Sequence, residues 1–384
     1  MKIAFIGQKG MPDVQGGVET HVEDLSIALA QRGNNDVYVY TRTNYVDPSL
    51  TQYKGVQLIS LPTINSKHLD AIVHTFLACL DVSFRHNMDI IHFHSIGPSS
   101  LLWIVKLLNP RTPVIATFHS RCYLHVKWNW IAQQYLKFGE WMACRFASRT
   151  IVISRILEQF VRENYYRKTA FIPNGVDLEP SLATDQLKQW NIAHGEYILY
   201  VGRLIRTKRV HDLIIAYNKT TTFKKLVIVG EGSFSSDYVA YLHKLANGNK
   251  NIVFTGTQTG ETLRQLYTHA YIFVLPSEIE GVSISLLEAF SCGTPVLASD
   301  IAENKDIVLG RGFAFAVGDP DDCAHKMQEL VNDPSTAKQY RMVAQRDVQL
   351  QYNWDILAEC IEYLYFDAID EKRSGLLHFF GRTH

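Results

Sequence analysis

Two glutamates eight positions apart, Glu280 and Glu288, are the strongest chemical signal in this chain. They lie in the run P-S-E-I-E-G-V-S-I-S-L-L-E-A-F-S-C-G-T-P-V-L-A-S, residues 276–299. A strand is expected at residues 271–275. After Gly281 the pattern turns helical, with Val282, Leu286, Ala289 and Phe290 as its buried stripe. Glu280 then stands in the loop before the helix and Glu288 about two turns inside, a helical span of roughly 12 Å. Gly281, Val282 and Ser283 form the helix entry, where unpaired backbone N–H groups favour an anion. One carboxylate at each end and a helix terminus between them suit an extended, hydroxyl-rich anion such as a nucleotide diphosphate-sugar.

A second pair is cationic. In Y-V-G-R-L-I-R-T-K-R-V-H-D-L, Arg203 and Lys208 bracket a loop between a strand and a helix. Two cations converging on a pyrophosphate would stabilise the departing charge, Arg by bidentate contact and Lys as a point charge. Near the N-terminus, Gly16-Gly17 opens the first helix and leaves backbone N–H groups free to meet an anion. No G-x-G-x-x-G follows the first strand, and the second ends in Thr41-Arg42-Thr43 without an acid, which disfavours a dinucleotide-dependent dehydrogenase. His119 ends the strand in V-I-A-T-F-H-S, where a doubly wound domain points side chains toward ligand. His92 and His94, in I-I-H-F-H-S, share one face of a strand end; their spacing suits a metal, but no third ligand is evident. Structural support or acceptor contact is therefore expected of them.

These segments together resemble the retaining glycosyltransferases of family 4, enzymes of GT-B fold. E-x7-E flanked by P-S and G-x-P-V-x-A-S carries the resemblance, and G-R-L-x4-K, F-I-P-N-G-V-D and V-G-E-G-S extend it over almost the whole chain. The resemblance implies that Glu280 contacts the transferred sugar and Glu288 the nucleotide ribose. It places Gly230 and Glu231 near the base and ribose, Gly16 and Gly17 near the phosphates and acceptor, and His119 beside the donor sugar. It also implies retention of configuration by front-face substitution, with the leaving phosphate helping to deprotonate the acceptor. No cofactor is then required beyond the co-substrate, for which a UDP-sugar is favoured, and no metal is expected. Two departures stand out. Arg209 replaces the glycine usual after that lysine, and Asp300-Ile301-Ala302-Glu303-Asn304-Lys305-Asp306 replaces G-G-x-x-E.

The elements that must position these residues form two α/β series. Strands are expected at 2–6, 36–41, 57–61, 90–94, 114–118, 150–154 and 169–172, then at 197–201, 226–229, 252–255, 271–275 and 295–298. Helices are expected at 18–32, 67–86, 127–148 and 354–368. The implied architecture is α/β: two doubly wound Rossmann-like domains facing a central cleft, with ligand at the carboxyl ends of the strands. Residues 1–178 form the acceptor-side domain, 179–194 a linker and 195–353 the nucleotide-sugar domain. The closing helix, 354–370, returns to the first domain and 371–384 is a tail. A length of 384 residues fits two cores better than one.

Lys plus Arg equals Asp plus Glu at 38 each, which offers no global attraction to nucleic acid. Residues 101–170 nonetheless hold eleven cations against three acids, a local excess of eight. Lys127, Trp128, Trp130, Tyr135, Lys137, Trp141, Arg145 and Arg149 interleave charge with aromatics. The tail adds Lys372, Arg373, Leu376, Leu377, Phe379, Phe380 and Arg382. Both features suit an anionic membrane surface. Six scattered cysteines, no signal peptide and no spanning segment predict a cytoplasmic protein, peripheral on the inner face of the cell membrane. The expected partners are a nucleotide-sugar donor and a saccharide or lipid-linked saccharide acceptor, in bacterial cell-surface polysaccharide or glycolipid synthesis. A nucleotide-sugar epimerase of the same fold and a non-catalytic partner subunit are the competing readings.

Overall fold

A computed structural model describes residues 1–12, 14, 16–66, 69–124, 128–232 and 235–380, with side chains through residue 374. Lys127, Ser233, Arg382 and the side chains of Leu376, Leu377, Phe379 and Phe380 lie outside the described set. The chain divides into two units, Met1–Gly175 with Trp354–His384, and Val176–Asn353.

In the first unit, β1 (Lys2–Ile6), α1 (Gly17–Gln31), β2 (Asp36–Arg42), β3 (Gln52–Tyr53), β4 (Val56–Leu61) and α2 (Asp70–Arg85) precede β5 (Ile90–His94). Then come α3 (Ile96–Ser99), α4 (Leu102–Leu108), β6 (Val114–Phe118), α5 (Trp130–Phe146), β7 (Arg149–Val152), α6 (Arg155–Tyr165) and β8 (Ala170–Phe171). The strand order is β3-β4-β2-β1-β5-β6-β7-β8, parallel except for β3 against β4. The central strands are buried on both faces, as a helix-covered parallel sheet requires.

The second unit runs β9 (Tyr197–Val201), α7 (Val210–Lys219), β10 (Lys225–Val229), α8 (Ser236–Ala246), β11 (Ile252–Gly256), α9 (Gly260–Thr268) and β12 (Ile272–Leu275). It continues with α10 (Ile284–Ser291), β13 (Val296–Ser299), α11 (Ala302–Val308), β14 (Phe313–Phe315), α12 (Pro320–Asn332) and α13 (Pro334–Gln351). All six strands are parallel in the order β11-β10-β9-β12-β13-β14. Chain direction across the sheet reverses between β9 and β12, so the loops after these two strands open beside each other. All four β12 side chains are buried, each contributing about 1.5–3 kcal/mol, which fixes where the following loop begins.

Two boundaries differ from expectation. Residues 179–194 are no free linker: Leu187 is buried, and Gln265 and Thr268 of α9 accept backbone N–H bonds from Gln186 (3.0 Å) and Ser181 (2.9 Å). A short 3₁₀ turn, Asp185–Trp190, forms there because Leu187 gains an apolar seat. The closing helix does not stop before the expected tail: α14 runs Trp354–Phe380. Glu371 pairs with Arg149 at 2.5 Å, and Lys372 donates to the Pro110 carbonyl at 3.0 Å, anchoring the extension on the first unit. Trp354, Ala358, Ile361 and Tyr365 of this helix are buried in the core that α1 also covers.

Candidate active site

The loops after β9 and β12 bring the acidic and cationic signals together. Lys208 Nζ lies 2.5 Å from Glu280 Oε1, with both side chains mostly buried. The Glu278 N–H donates to the Thr207 carbonyl at 3.0 Å, which joins the two loops through the backbone as well. Arg203 is exposed, and its guanidinium has no ion pair among the described residues. Its carbonyl accepts from Tyr200 Oη at 3.2 Å. Burial pushes the Tyr200 phenol far above its ordinary range; Glu280 pushes it further and Arg203 opposes, so both charges act on one buried ring. Two cations and a carboxylate thus surround one point of the sheet's carboxyl edge.

Glu288 completes the group through a residue the spacing did not reveal. Tyr267 Oη, at the end of α9, donates to Glu288 Oε2 at 2.7 Å, and the Tyr267 phenol is raised chiefly by burial, then by Glu288, with Tyr200 contributing too. The helix carrying Glu288 begins later than expected. Since α10 starts at Ile284, Glu288 is its fifth residue, just over one turn in rather than two, and Val282 is only partly buried. Gly281 and Val282 lie in a bend and Ser283 at the N-cap. The Ser283 hydroxyl bonds to Ser285 Oγ at 3.1 Å and caps no backbone N–H, which leaves the helix entry open to an anion.

Burial raises the Glu288 carboxyl above its ordinary value, and the Tyr267 hydrogen bond partly offsets this. A raised carboxyl stabilises the fold in its neutral form: the contribution is full below pH 4.5 and is lost as pH rises through the folded pKa. Glu288→Gln is therefore expected to raise the melting temperature of the ligand-free protein at pH 7. If Glu288 holds ribose hydroxyls, the same change weakens donor binding about tenfold, a cost of roughly 1.4 kcal/mol. Differential scanning calorimetry and donor titration on the same preparation check both signs.

Gly230 has a backbone reason to be glycine. Its φ is +128°, and a β-carbon there would lie 2.0 Å from the Gly202 carbonyl oxygen, so the loops after β9 and β10 could not approach. Glu231 is exposed and, with Gly232, Ser235, Val239 and His243, lines an open depression of about 560 Å³. Neither Lys208 nor Glu280 borders that depression. The departing segment after β13 folds as the start of α11. Asp300 accepts from the Val317 N–H at 2.9 Å and pairs with Lys305 at 3.1 Å, tying down the turn where glycines were absent.

In the first unit, four histidines gather at the carboxyl ends of β5 and β6. His92 is fully buried, with Nδ1 2.7 Å from Tyr365 Oη and Nε2 2.6 Å from Thr117 Oγ1. Both nitrogens serve the core, so the expected acceptor contact gives way to structural support. His94 is likewise fully buried, its Nδ1 3.3 Å from His119 Nε2, and it too is removed from direct acceptor contact. His119 retains a little exposure at the strand end. The sequence offered no third partner for His94 because that partner comes from α1. One ring nitrogen each of His21, His94 and His119 lie within 4.8 Å of one another, the group among the described residues that could hold a metal ion. His21 Nδ1 pairs with Asn174 Oδ1 at 2.9 Å, which gives the F-I-P-N-G-V-D segment a structural task. Burial lowers the His21 imidazole to about 4, with Asn174 opposing, and holds His92, His94 and His119 well below the usual range. Gly16, at φ +146°, caps α1, and Gly17 begins it. The chain's own Glu19 carboxylate folds against Gly16, and the Lys9 N–H donates to it at 3.2 Å.

Residues 184–347 match the family described as glycosyl transferases group 1, and residues 15–180 the family described as glycosyltransferase family 4. An uncharacterized glycosyltransferase of Methanocaldococcus jannaschii is 26% identical, over 96% of this chain and 99% of its own length. Among solved structures, sucrose-phosphate synthase from Thermosynechococcus elongatus superposes with a TM-score of 0.82 at 24% identity, covering 96% of this chain and 99% of that one. Anabaena HepE in complex with UDP and glucose gives 0.80 at 20% identity, covering 96% and 100%.

Proposed function

The chain belongs to the family 4 glycosyltransferases and has the GT-B fold, and on that premise we propose that it is a retaining, metal-independent enzyme. It moves a sugar from a nucleotide diphosphate-sugar, by preference a UDP-sugar, to a saccharide or lipid-linked saccharide acceptor. The observation that carries this reading is the Lys208–Glu280 pair at the point where strand order reverses, with Arg203 and Glu288 acting on the tyrosines beside it. A dianionic diphosphate placed on Arg203, Lys208 and the entry of α10 has its developing charge met by preset donors. Glu280 is then left to orient the sugar, and Glu288, held by Tyr267, to take the ribose hydroxyls. Retention follows if the acceptor approaches on the same face as the departing phosphate, which takes the acceptor's proton as the bond breaks. No side chain needs to act as nucleophile. Nuclear magnetic resonance of the product's anomeric carbon tests this: the donor's configuration is expected, undiminished by EDTA. Inversion, or loss of transfer with the chelator, contradicts it.

A peripheral place on an anionic membrane surface is part of the same proposal. Trp103 and Leu107 of α4 and Trp130, Ile131 and Trp141 of α5 are exposed, and these two helices pack on each other. Lys137 and Arg145 stand exposed among them. Apolar side chains ringed by cations are the makings of an interfacial contact. No helix among the described residues is long and apolar enough to cross a membrane. The protein is expected to float with vesicles containing anionic lipid at low salt and to be released as salt rises. Absence of retention at low salt removes the membrane from the proposal.

A further inference from the structure

Arg209 is the departure from the family pattern that the site has not yet absorbed. It sits between the short turn Arg206–Lys208 and the start of α7, in the left-handed region at φ +49° and ψ +35°. That conformation costs a residue with a β-carbon about 1–2 kcal/mol, which contacts of its side chain can offset. The Arg209 guanidinium shows what does so: Nε lies 2.5 Å from Asp212 Oδ2 in α7, and Nη1 lies 3.0 Å from Glu278 Oε2 in the loop after β12. Its other terminal nitrogen lies against Gly318, beyond β14, where a β-carbon would come within 3.2 Å. Asp212 is nearly buried, which makes it the fixed end of the clamp. Glu278 is the freer end, two residues before Glu280.

We propose that Arg209 is a positioning residue that fastens the Glu280 loop to the Lys208 loop and so presets the Lys208–Glu280 pair before the donor arrives. The geometry favours a fork over a point charge. One guanidinium spans two carboxylates on separate elements, a bridge that glycine at this position cannot make. The clamp acts on loop order rather than on the reacting atoms. Its loss therefore lowers the fraction of molecules ready to bind and leaves the chemistry of bound donor alone. Should the ready fraction drop to about one in ten, the apparent donor affinity falls about tenfold.

The inference rests on the reading of Lys208 and Glu280 as donor residues, and the test separates the two. Glu278→Ala cuts the clamp at its partly exposed end; Glu278→Gln keeps an acceptor for Arg209; Arg209→Ala removes the fork. The expected result is a donor KM about tenfold higher in Glu278→Ala with kcat within twofold, partial rescue in Glu278→Gln, and no further loss when Arg209→Ala is added. Hydrogen exchange of residues 276–283 without donor is the second readout, and it stands even if no nucleotide-sugar proves to be a substrate. Faster exchange in Glu278→Ala than in the parent supports the clamp. Unchanged exchange overturns it, as does a fall in kcat with KM unaltered. Arg209→Ala could unfold by stranding Asp212, and the two Glu278 variants decide the matter without it.

Discussion

Lys208→Ala is expected to lower kcat/KM for the nucleotide-sugar at least about 100-fold, the usual loss when one preset charge-stabilising group is removed. The size follows from position. Lys208 is mostly buried, so its charge is screened less than a surface lysine's, and it stands at the strand-order reversal where a diphosphate would lie. The substitution also strands Glu280, whose side chain keeps only 8% of its exposure and whose cation partner among the described residues is Lys208. Glu280→Ala should cost a similar factor through loss of the proposed sugar contact. Because the two side chains form one ion pair, the double variant is expected to fall only slightly below the worse single one. Steady-state kinetics on variants with parental circular dichroism check this. Multiplying losses would contradict the pairing, and near-parental turnover would contradict the site.

Acid is expected to unfold the first unit well before its carboxylates protonate. His21 and His74 are lowered to about 4, His21 by burial and His74 by burial and then Arg42, while burial holds His92, His94 and His119 well below the usual range. The unfolded chain takes up a proton at each near pH 6.5 and the folded chain does not. Their stabilisation is therefore full above pH 6.5 and is lost as pH falls toward 4. At pH 5 His21 and His74 should each have surrendered about 2 kcal/mol, a large part of ordinary domain stability. Glu140, raised by burial in the same unit, slopes the other way but is a single group against five. Urea midpoints between pH 7.5 and 4.5 measure the effect. Stability of the first unit should drop steeply below pH 6.5, and a flat profile would show that these imidazoles are not held neutral.

How much of this was legible in the chain depended on whether a residue's partner was close in sequence or topology. The strands at 90–94, 114–118 and 197–201 were readable to the residue, because buried parallel strands are short apolar runs bounded by polar turns. That the Lys208 and Glu280 loops meet was readable because both follow strands of one parallel sheet, whose carboxyl ends lie along one edge. Partners arriving from other elements were not. Tyr267, which orders Glu288, lies on α9, and His21, which completes the histidine group, lies on α1. Nothing in the local pattern of either helix sets these residues apart from core. The extension of α14 was missed because its anchors, Arg149 and the Pro110 carbonyl, lie more than two hundred positions away. β3 and β14, two and three residues long, carry too little periodicity to be seen. The late start of α10 reflects the bend at Gly281-Val282, which helical spacing alone does not register.

Calorimetric titration of the parent protein and Lys208→Ala with UDP-, GDP-, ADP- and dTDP-sugars tests the central claim most directly. One nucleotide-sugar, a UDP-sugar by preference, should bind the parent with one-to-one stoichiometry and bind the variant at least about tenfold more weakly, some 1.4 kcal/mol. A parent that binds none of the four, or a variant that binds as tightly as the parent, contradicts it.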